Sequence, residues 1–174
     1  MSSVCIVLAG GLGTRLRSVI PDLPKCLAPI AGQPFLKWLL HSLAARGVEH
    51  FVLALGYGAD PVLESLREPW ALGLSIDTVI ERELFGTGGA ARFALDETGL
   101  DEALIANGDT FLGGSLNTML TPLDLNGGEF MRIATVQVSD RTRFGGVSLD
   151  AMQRVTAFYS SDAMVQKNWF VFGS

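Results

Sequence analysis

The segment Leu8-Ala9-Gly10-Gly11-Leu12-Gly13-Thr14-Arg15 carries the residue types needed to hold phosphate. At Gly10, Gly11 and Gly13 no side chain stands between backbone and ligand, so successive N–H groups can converge on an anion. Arg15 adds a planar, permanently charged fork suited to phosphate oxygens. The pattern is not the dinucleotide fingerprint GxGxxG, because Leu16 stands where the third glycine would fall, and there is no Gly-Lys-Ser/Thr of a P-loop. A bare glycine turn beside a surface arginine is the competing reading. Ten residues on, Lys25 sits in Pro24-Lys25-Cys26-Leu27-Ala28-Pro29. The flanking prolines stiffen this polar-poor loop and would let the lysine return over the glycine segment. Arg15, Arg17 and Lys25 are the only basic residues before position 37. A third polar run is Asn107-Gly108-Asp109-Thr110, in which Asp109 is either a metal ligand or a turn residue bonding its own backbone.

These residues need elements to carry them. Val4 to Leu8 reads as a buried strand, followed by a Gly- and Pro-rich loop to Gly32. Pro34 opens a helix whose one face is Phe35, Leu36, Leu39, Leu40 and Leu43, with Gly47 as its stop. Val48 to Leu55 and Leu74 to Ile80 read as strands, with a short helix from Pro61 to Arg67, halted by Pro69, between them. Gly89 to Leu95 reads as helical, and Glu102 to Ala106 as the fourth strand. Alternation of strand and helix predicts an α/β, Rossmann-like, mostly parallel sheet flanked by helices. From Phe130 the texture changes: Met131 to Val138, Gly146 to Leu149, Val155 to Tyr159 and Trp169 to Phe172 are strand candidates with little helix between. They are expected to extend or cover the sheet with antiparallel strands. In such a sheet ligands bind beyond the carboxyl ends of the strands, where the loop after Leu8, the Tyr57–Asp60 turn and the 107–110 run would lie.

The chain has 174 residues, 48% hydrophobic and 18% charged, with a net charge of −5. That length suits a single domain, and the acidic balance argues against nucleic acid as a partner. No apolar run approaches the roughly 18 residues of a membrane helix. Val4 to Ala9 lacks the basic flank of a secretory signal. Cys5 and Cys26 form no CxxC and no His or Cys cluster suggests zinc, so reduced thiols and a cytoplasmic location are expected. Cys5 reads as a small core residue.

The run GGLGTRL, continuing to PDLPKCLAPIAGQPFL, resembles the signature of the sugar-1-phosphate nucleotidylyltransferases, enzymes with a Rossmann-like nucleotide-diphospho-sugar transferase fold. Its wording from Gly10 to Leu36 is most similar to the D-glycero-D-manno-heptose 1-phosphate guanylyltransferase branch, with mannose-1-phosphate guanylyltransferases and N-acetylmuramate-1-phosphate uridylyltransferases nearby. Glu83-Leu84-Phe85-Gly86-Thr87-Gly88-Gly89-Ala90 resembles the family's EPLGTGGA, Asn107-Gly108-Asp109-Thr110 its NGDT, and Arg143-Phe144-Gly145-Gly146-Val147 its RYGVV. The resemblance spans about Val4 to Leu149 with its motifs in the family's order. It implies a transferase joining a nucleoside triphosphate, GTP by preference, to a heptose- or mannose-type sugar 1-phosphate, with Mg²⁺, for surface polysaccharide. By the same resemblance Leu8, Ala9, Gly10, Gly11, Gly13, Thr14 and Arg15 would hold the triphosphate, and Lys25 would be the catalytic lysine. Glu81, Gly86 and Thr87 would lie at the base, Asp109 would bind Mg²⁺, and Asn107, Gly145 and Asn168 would face the sugar phosphate. Plainer readings stand beside these: Glu81 as a solvated strand-end charge, and Gly86, Gly88 and Gly89 as space for a helix to start close to the sheet.

The pattern also breaks. The family's Glu-Lys pair after a Val-x-x-Phe strand is replaced here by Tyr159-Ser160-Ser161, and its Asn-x-Gly by Asn168-Trp169-Phe170. The family's second metal-binding aspartate has no counterpart. The expectation is one nucleotidyltransferase domain, residues 1–174, lacking the family's C-terminal elements, with a non-catalytic homologue that binds nucleotide or sugar phosphate as the alternative. The apolar run Trp169–Phe172 would need a cover, and left as an open edge it invites self-association.

Overall fold

The structure, a computed structural model, describes residues 3–11, 23–56, 58–83, 85–136, 146–159 and 169–173. Its main sheet is built on β1 (Val4–Leu8), whose central residues are buried on both faces. The long loop is not featureless: a tight turn at Lys25–Leu27 leads into a small hairpin of β2 (Pro29–Ile30) and β3 (Gln33–Pro34). Ala31 and Gly32, both at positive φ (50° and 74°), make the two-residue turn such a hairpin requires. Helix α1 (Phe35–Ala44) follows. Pro34 is extended and caps this helix rather than forming its first residue, because it pairs with Pro29 in the hairpin. Leu36, Leu39, Leu40 and Leu43 are wholly buried, as their spacing predicts, and Gly47 at φ 101° turns the chain away.

Next come β4 (His50–Leu55), α2 (Ala59–Ser65) and β5 (Ser75–Ile80). Strand β4 starts at His50 rather than Val48. Helix α2 lies two residues earlier than Pro61–Arg67, because left-handed Gly58 (φ 77°) starts the turn and Pro61 is tolerated where its missing N–H has no intrahelical partner. Helix α3 runs from Gly86 to Thr98, longer than the Gly89–Leu95 stretch expected from composition, and closes on left-handed Gly99. Its first turn is glycine-rich and of poor intrinsic propensity; docking of Ala90, Ala91, Ala94 and Leu95 on the sheet compensates.

Strand β6 (Glu102–Asn107) completes the parallel set. Later strands are β7 (Met131–Ala134), β8 (Gly146–Leu149), β9 (Val155–Tyr159) and β10 (Trp169–Gly173). Strand β7 ends four residues before Val138. The main sheet has the order β5-β4-β1-β6-β10-β7, with β10 antiparallel to both its neighbours. The expected antiparallel extension is therefore present. Strands β8 and β9 instead form a separate two-stranded hairpin.

Side chains alternate between two cores. Cys5, Val7, Phe51, Leu53, Leu55, Leu104 and Ala106 meet α1 and α2 on one face. Ile6, Val52, Ala54, Ala103 and Ile105 meet α3 on the other. Leu116, Met119 and Leu123, from the irregular segment between β6 and β7, join the first core. Among the described residues no helix is long and apolar enough to cross a membrane.

Candidate functional site

The chain steps from β1 outward to β4 and β5, then returns through α3 to β6 on the other side of β1. The carboxyl ends of β1 and β6 thus form the switch point at which such sheets open a crevice. In register, Leu8 lies beside both Ala54 and Asn107. The backbone pairs on past the strand ends, with Ala9 N–H donating to Ala54 O and Gly108 N–H to Leu8 O, each at 2.8 Å.

Glycine is required here by contact. A Cβ on Gly10 would lie 3.0 Å from Gly56 N and 3.2 Å from the Leu55 carbonyl carbon. A Cβ on Gly108 would lie 3.0 Å from Leu8 O and 3.2 Å from Ala9 Cβ. Three chain segments cross at backbone separation, which brings the start of the glycine loop up against the 107–110 turn. Gly11, by contrast, is exposed and faces open space. The contact roles of Gly56 and Gly108 have no local signal in the sequence, because the groups that crowd them, Leu8 to Gly10, lie far away along the chain.

Lys25 opens the tight turn that Leu27 N–H closes on Pro24 O at 2.9 Å. Cys26 and Leu27 are buried beneath it and Pro24 packs on Gly58, so the lysine stem leaves an anchored backbone. Its Nζ lies 3.6 Å from Asp109 Oδ2, with both side chains partly exposed. Burial pushes the Cys26 thiol up to about 12, which makes it an anchor and not a nucleophile. Asp109 sits in a turn closed by Thr110 N–H to Asn107 O at 3.2 Å, and Thr110 Oγ1 donates to its Oδ1 at 3.3 Å. Asp109 is thus both a turn residue and the partner of a lysine 84 positions away in sequence.

Two strands over, Glu81 N–H donates to Leu55 O at 2.8 Å and extends the ladder past β5. The Glu81 side chain is only 8% exposed, which overturns its reading as a solvated strand-end charge. Its Oε2 accepts a long hydrogen bond, 3.4 Å, from Phe85 N–H. Left-handed Gly86 (φ 72°) makes the turn into α3, in whose first turn Thr87 is exposed. A Cβ on Gly89 would collide with Phe85 Cβ at 2.5 Å, so that glycine makes room for Phe85, whereas Gly86 and Gly88 face open space.

The structure therefore brings Leu8, Ala9, Gly10, Lys25, Asn107 and Asp109 to one corner, with Glu81, Gly86 and Thr87 along the same carboxyl edge. Gly13, Thr14, Arg15, Gly145 and Asn168 lie outside the described residues. No group of three or more His, Cys, Asp or Glu side chains that could hold a metal occurs among the described residues. Among the described residues Asp109 is the carboxylate beside Lys25, and it fits Mg²⁺ where phosphate oxygens and water supply the other ligands, which Mg²⁺ readily keeps.

Residues 4–160 match the family described as Nucleotidyl transferase. The chain is 38% identical over 153 residues to a D-glycero-alpha-D-manno-heptose 1-phosphate guanylyltransferase of Campylobacter jejuni, covering 88% of this chain and 66% of that protein. It is 37% identical over 153 residues to a mannose-1-phosphate guanylyltransferase of Mycobacterium tuberculosis, covering 88% of this chain and 42% of that protein. The chain spans less than two thirds of the length of each of these relatives. Among solved structures, HddC from Yersinia pseudotuberculosis superposes with a TM-score of 0.83 at 30% identity, over 98% of this chain and 76% of that one. The same protein complexed with GMP-PN superposes at 0.81 and 29% identity, over the same shares of the two chains.

Proposed function

The chain belongs to the nucleotidyl transferase family, and from that premise we propose that it is a sugar-1-phosphate nucleotidylyltransferase. The proposed reaction joins a nucleoside triphosphate, GTP by preference, to a heptose- or mannose-type sugar 1-phosphate and releases pyrophosphate. The observation that carries the reading is the approach of Lys25 Nζ to Asp109 Oδ2, 3.6 Å apart, beside the glycine-lined end of β1. It supports the reading by putting a cation beside a carboxylate that could bind metal, at the edge where the two anionic substrates would meet.

In the proposed mechanism a phosphate oxygen of the sugar 1-phosphate attacks the α-phosphorus, and the bond to the pyrophosphate oxygen breaks. Direct displacement needs no protein nucleophile, in keeping with a protonated, buried Cys26. The backbone N–H groups of the Gly10–Gly11 turn, continued by Gly13, Thr14 and Arg15, bind the triphosphate. Leu8 and Ala9 bring that turn to the strand end. Lys25 stabilises the charge that spreads over the transferred phosphoryl group. Asp109 would hold Mg²⁺, which when bound neutralises phosphate charge and eases departure of pyrophosphate. Asn107, Gly145 and Asn168 are assigned to the sugar phosphate.

The preference for GTP rests on Glu81. A buried carboxylate, one oxygen of which accepts a long 3.4 Å hydrogen bond from Phe85 N–H, is well matched to the paired N1–H and N2–H donors of guanine. Uracil and thymine do not offer that pair. Gly86 and Thr87 would lie at the edge of the same base. The proposal extends to one nucleotidyltransferase domain working in the cytoplasm.

The test is Mg²⁺-dependent pyrophosphate release, with each nucleoside triphosphate offered against heptose and mannose 1-phosphates first. Turnover with one pair identifies base and sugar together. Nucleotide binding with no release across the whole panel would overturn catalysis in favour of a binding homologue. The Tyr159-Ser160-Ser161 run, standing where the family carries a Glu-Lys pair, is the feature that favours that second outcome.

A further inference from the structure

Between β6 and β7 the chain crosses the α1 face without regular secondary structure, and two arginines from outside this segment hold its carbonyls. Arg132, on β7, donates through Nη1 to Thr118 O and to Thr121 O, while its other nitrogens pair with Glu129. Arg46, just beyond α1, takes the part that leaves the site. Its Nη1 donates to Leu112 O at 2.6 Å and to Gly114 O at 2.9 Å. Its Nε donates to Ser42 O at 2.9 Å and its Nη2 to Ser42 Oγ at 3.1 Å. The guanidinium also lies over the ring of Phe111, 5.8 Å from its centroid. A guanidinium can serve this set because its donors are fixed in one plane; an ammonium on a flexible stem cannot reach all of it.

The clamp lies three residues beyond Asp109. On the upstream side, Gly108 is pinned against Leu8 and Ala9 by its N–H bond and by contact. On the downstream side, Arg46 fixes Leu112 and Gly114 to α1, an element that the first core locks in place. Asp109 and Thr110 are therefore suspended between two anchors, one on the sheet and one on the helix. We propose that Arg46 is a positioning residue for Asp109, setting the carboxylate where it can meet a divalent cation and Lys25. This rests on the reading of Asp109 as the metal-binding carboxylate.

The test compares the full chain with Arg46→Lys, Arg132→Lys and Asp109→Asn. The first readout is free Mn²⁺ by electron spin resonance during titration of Mn²⁺ into protein saturated with a non-hydrolysable GTP analogue, whose phosphate oxygens supply the remaining ligands. The second is the Mg²⁺ concentration giving half-maximal pyrophosphate release, set against the KM for nucleotide. Arg46→Lys is expected to weaken both metal constants about tenfold, the scale at which partners of a metal ligand act, with nucleotide KM within about twofold of wild type. Arg132→Lys, which loosens the far part of the same segment, is expected to leave both constants unchanged. Wild-type metal constants in Arg46→Lys, or an equal shift in Arg132→Lys, would overturn the proposal and leave Arg46 a packing residue. Should Arg46→Lys not fold, Ser42→Ala removes one of its acceptors, and a shift in the same direction is required of it. If Asp109→Asn binds Mn²⁺ as the wild type does, the assignment of Asp109 itself fails and this inference falls with it.

Discussion

At the scale of single residues, Lys25 and Asp109 gain their meaning from each other. Neither type is diagnostic alone: a lysine in a loop is ordinarily solvated, and an aspartate after a strand ordinarily makes a turn. Their 3.6 Å approach across 84 positions of sequence converts two weak signals into one arrangement. If Lys25 acts on the transition state, Lys25→Ala should lower kcat by about 10²–10³-fold while nucleotide KM changes little. Steady-state kinetics on the active pair of substrates would show this, and equal losses in affinity and turnover would contradict it. For Glu81, burial is the informative fact. Glu81→Gln replaces an acceptor with a mixed donor and acceptor, and is expected to reduce the preference for GTP over UTP by about tenfold. Competition between the two nucleotides in a single assay measures the ratio, and an unchanged ratio would remove Glu81 from base selection.

At the scale of elements, the site depends on how closely strand ends approach. Gly108 leaves only 3.0 Å for a Cβ before Leu8 O, and the neighbour is backbone paired into the sheet, which cannot move aside. Gly108→Ala should therefore destabilise the fold by about 1–3 kcal/mol, on the scale of overpacking, and should displace Asp109. Chemical denaturation gives the first effect and metal dependence of turnover the second; a Gly108→Ala protein of wild-type stability would mean the crossing is looser than described. The segment between β6 and β7 offers a pH test. Its hydrogen bond to Arg132, aided by the backbone hydrogen bond involving Asp124, holds the Glu129 carboxyl below its ordinary value of 4.5. A folded-state value lower than the unfolded one contributes stability above pH 4.5 that is lost as pH falls through the folded value. Thermal unfolding from about pH 6 to about pH 3 should thus show a steeper acid loss in wild type than in Arg132→Met. Parallel profiles would mean that this partly buried pair contributes nothing measurable.

At the scale of the whole molecule, the proposed function sets a net charge of −5 beside a site for polyanions. On that proposal Lys25 and the backbone N–H groups at the end of β1 would make the attraction local to one sheet end. Both thiols belong to the α1 face of the core. Burial raises the Cys5 thiol far beyond its ordinary range and the Cys26 thiol to about 12. Neither is a reactive group in the folded protein. Labelling with a disulfide reagent near pH 8 should therefore follow global unfolding, with both cysteines modified together in denaturant. Fast modification of Cys26 in native buffer would show that the Lys25 turn opens independently of the core.

Much of this protein was written locally. Apolar runs and helical spacing placed β1, α1, β4, β5 and β6, because burial pattern and period are properties of consecutive residues. The glycine, lysine and aspartate motifs could be found for the same reason: each is a short run with its own chemistry. Boundaries moved where tertiary packing outweighed propensity, as when α3 absorbed its glycine-rich start and Pro34 joined a hairpin. The pairing of β10 between β6 and β7, and the separation of the β8–β9 hairpin, depend on partners distant in sequence. No local period encodes such partners. So too with the burial of Glu81, the backbone crossings at Gly10 and Gly108, and the hold of Arg46 on Leu112 and Gly114. The amino-acid order determined which groups were available and which elements would carry them. Only the folded chain decided which groups meet, because distance and desolvation exist only once remote segments are packed together.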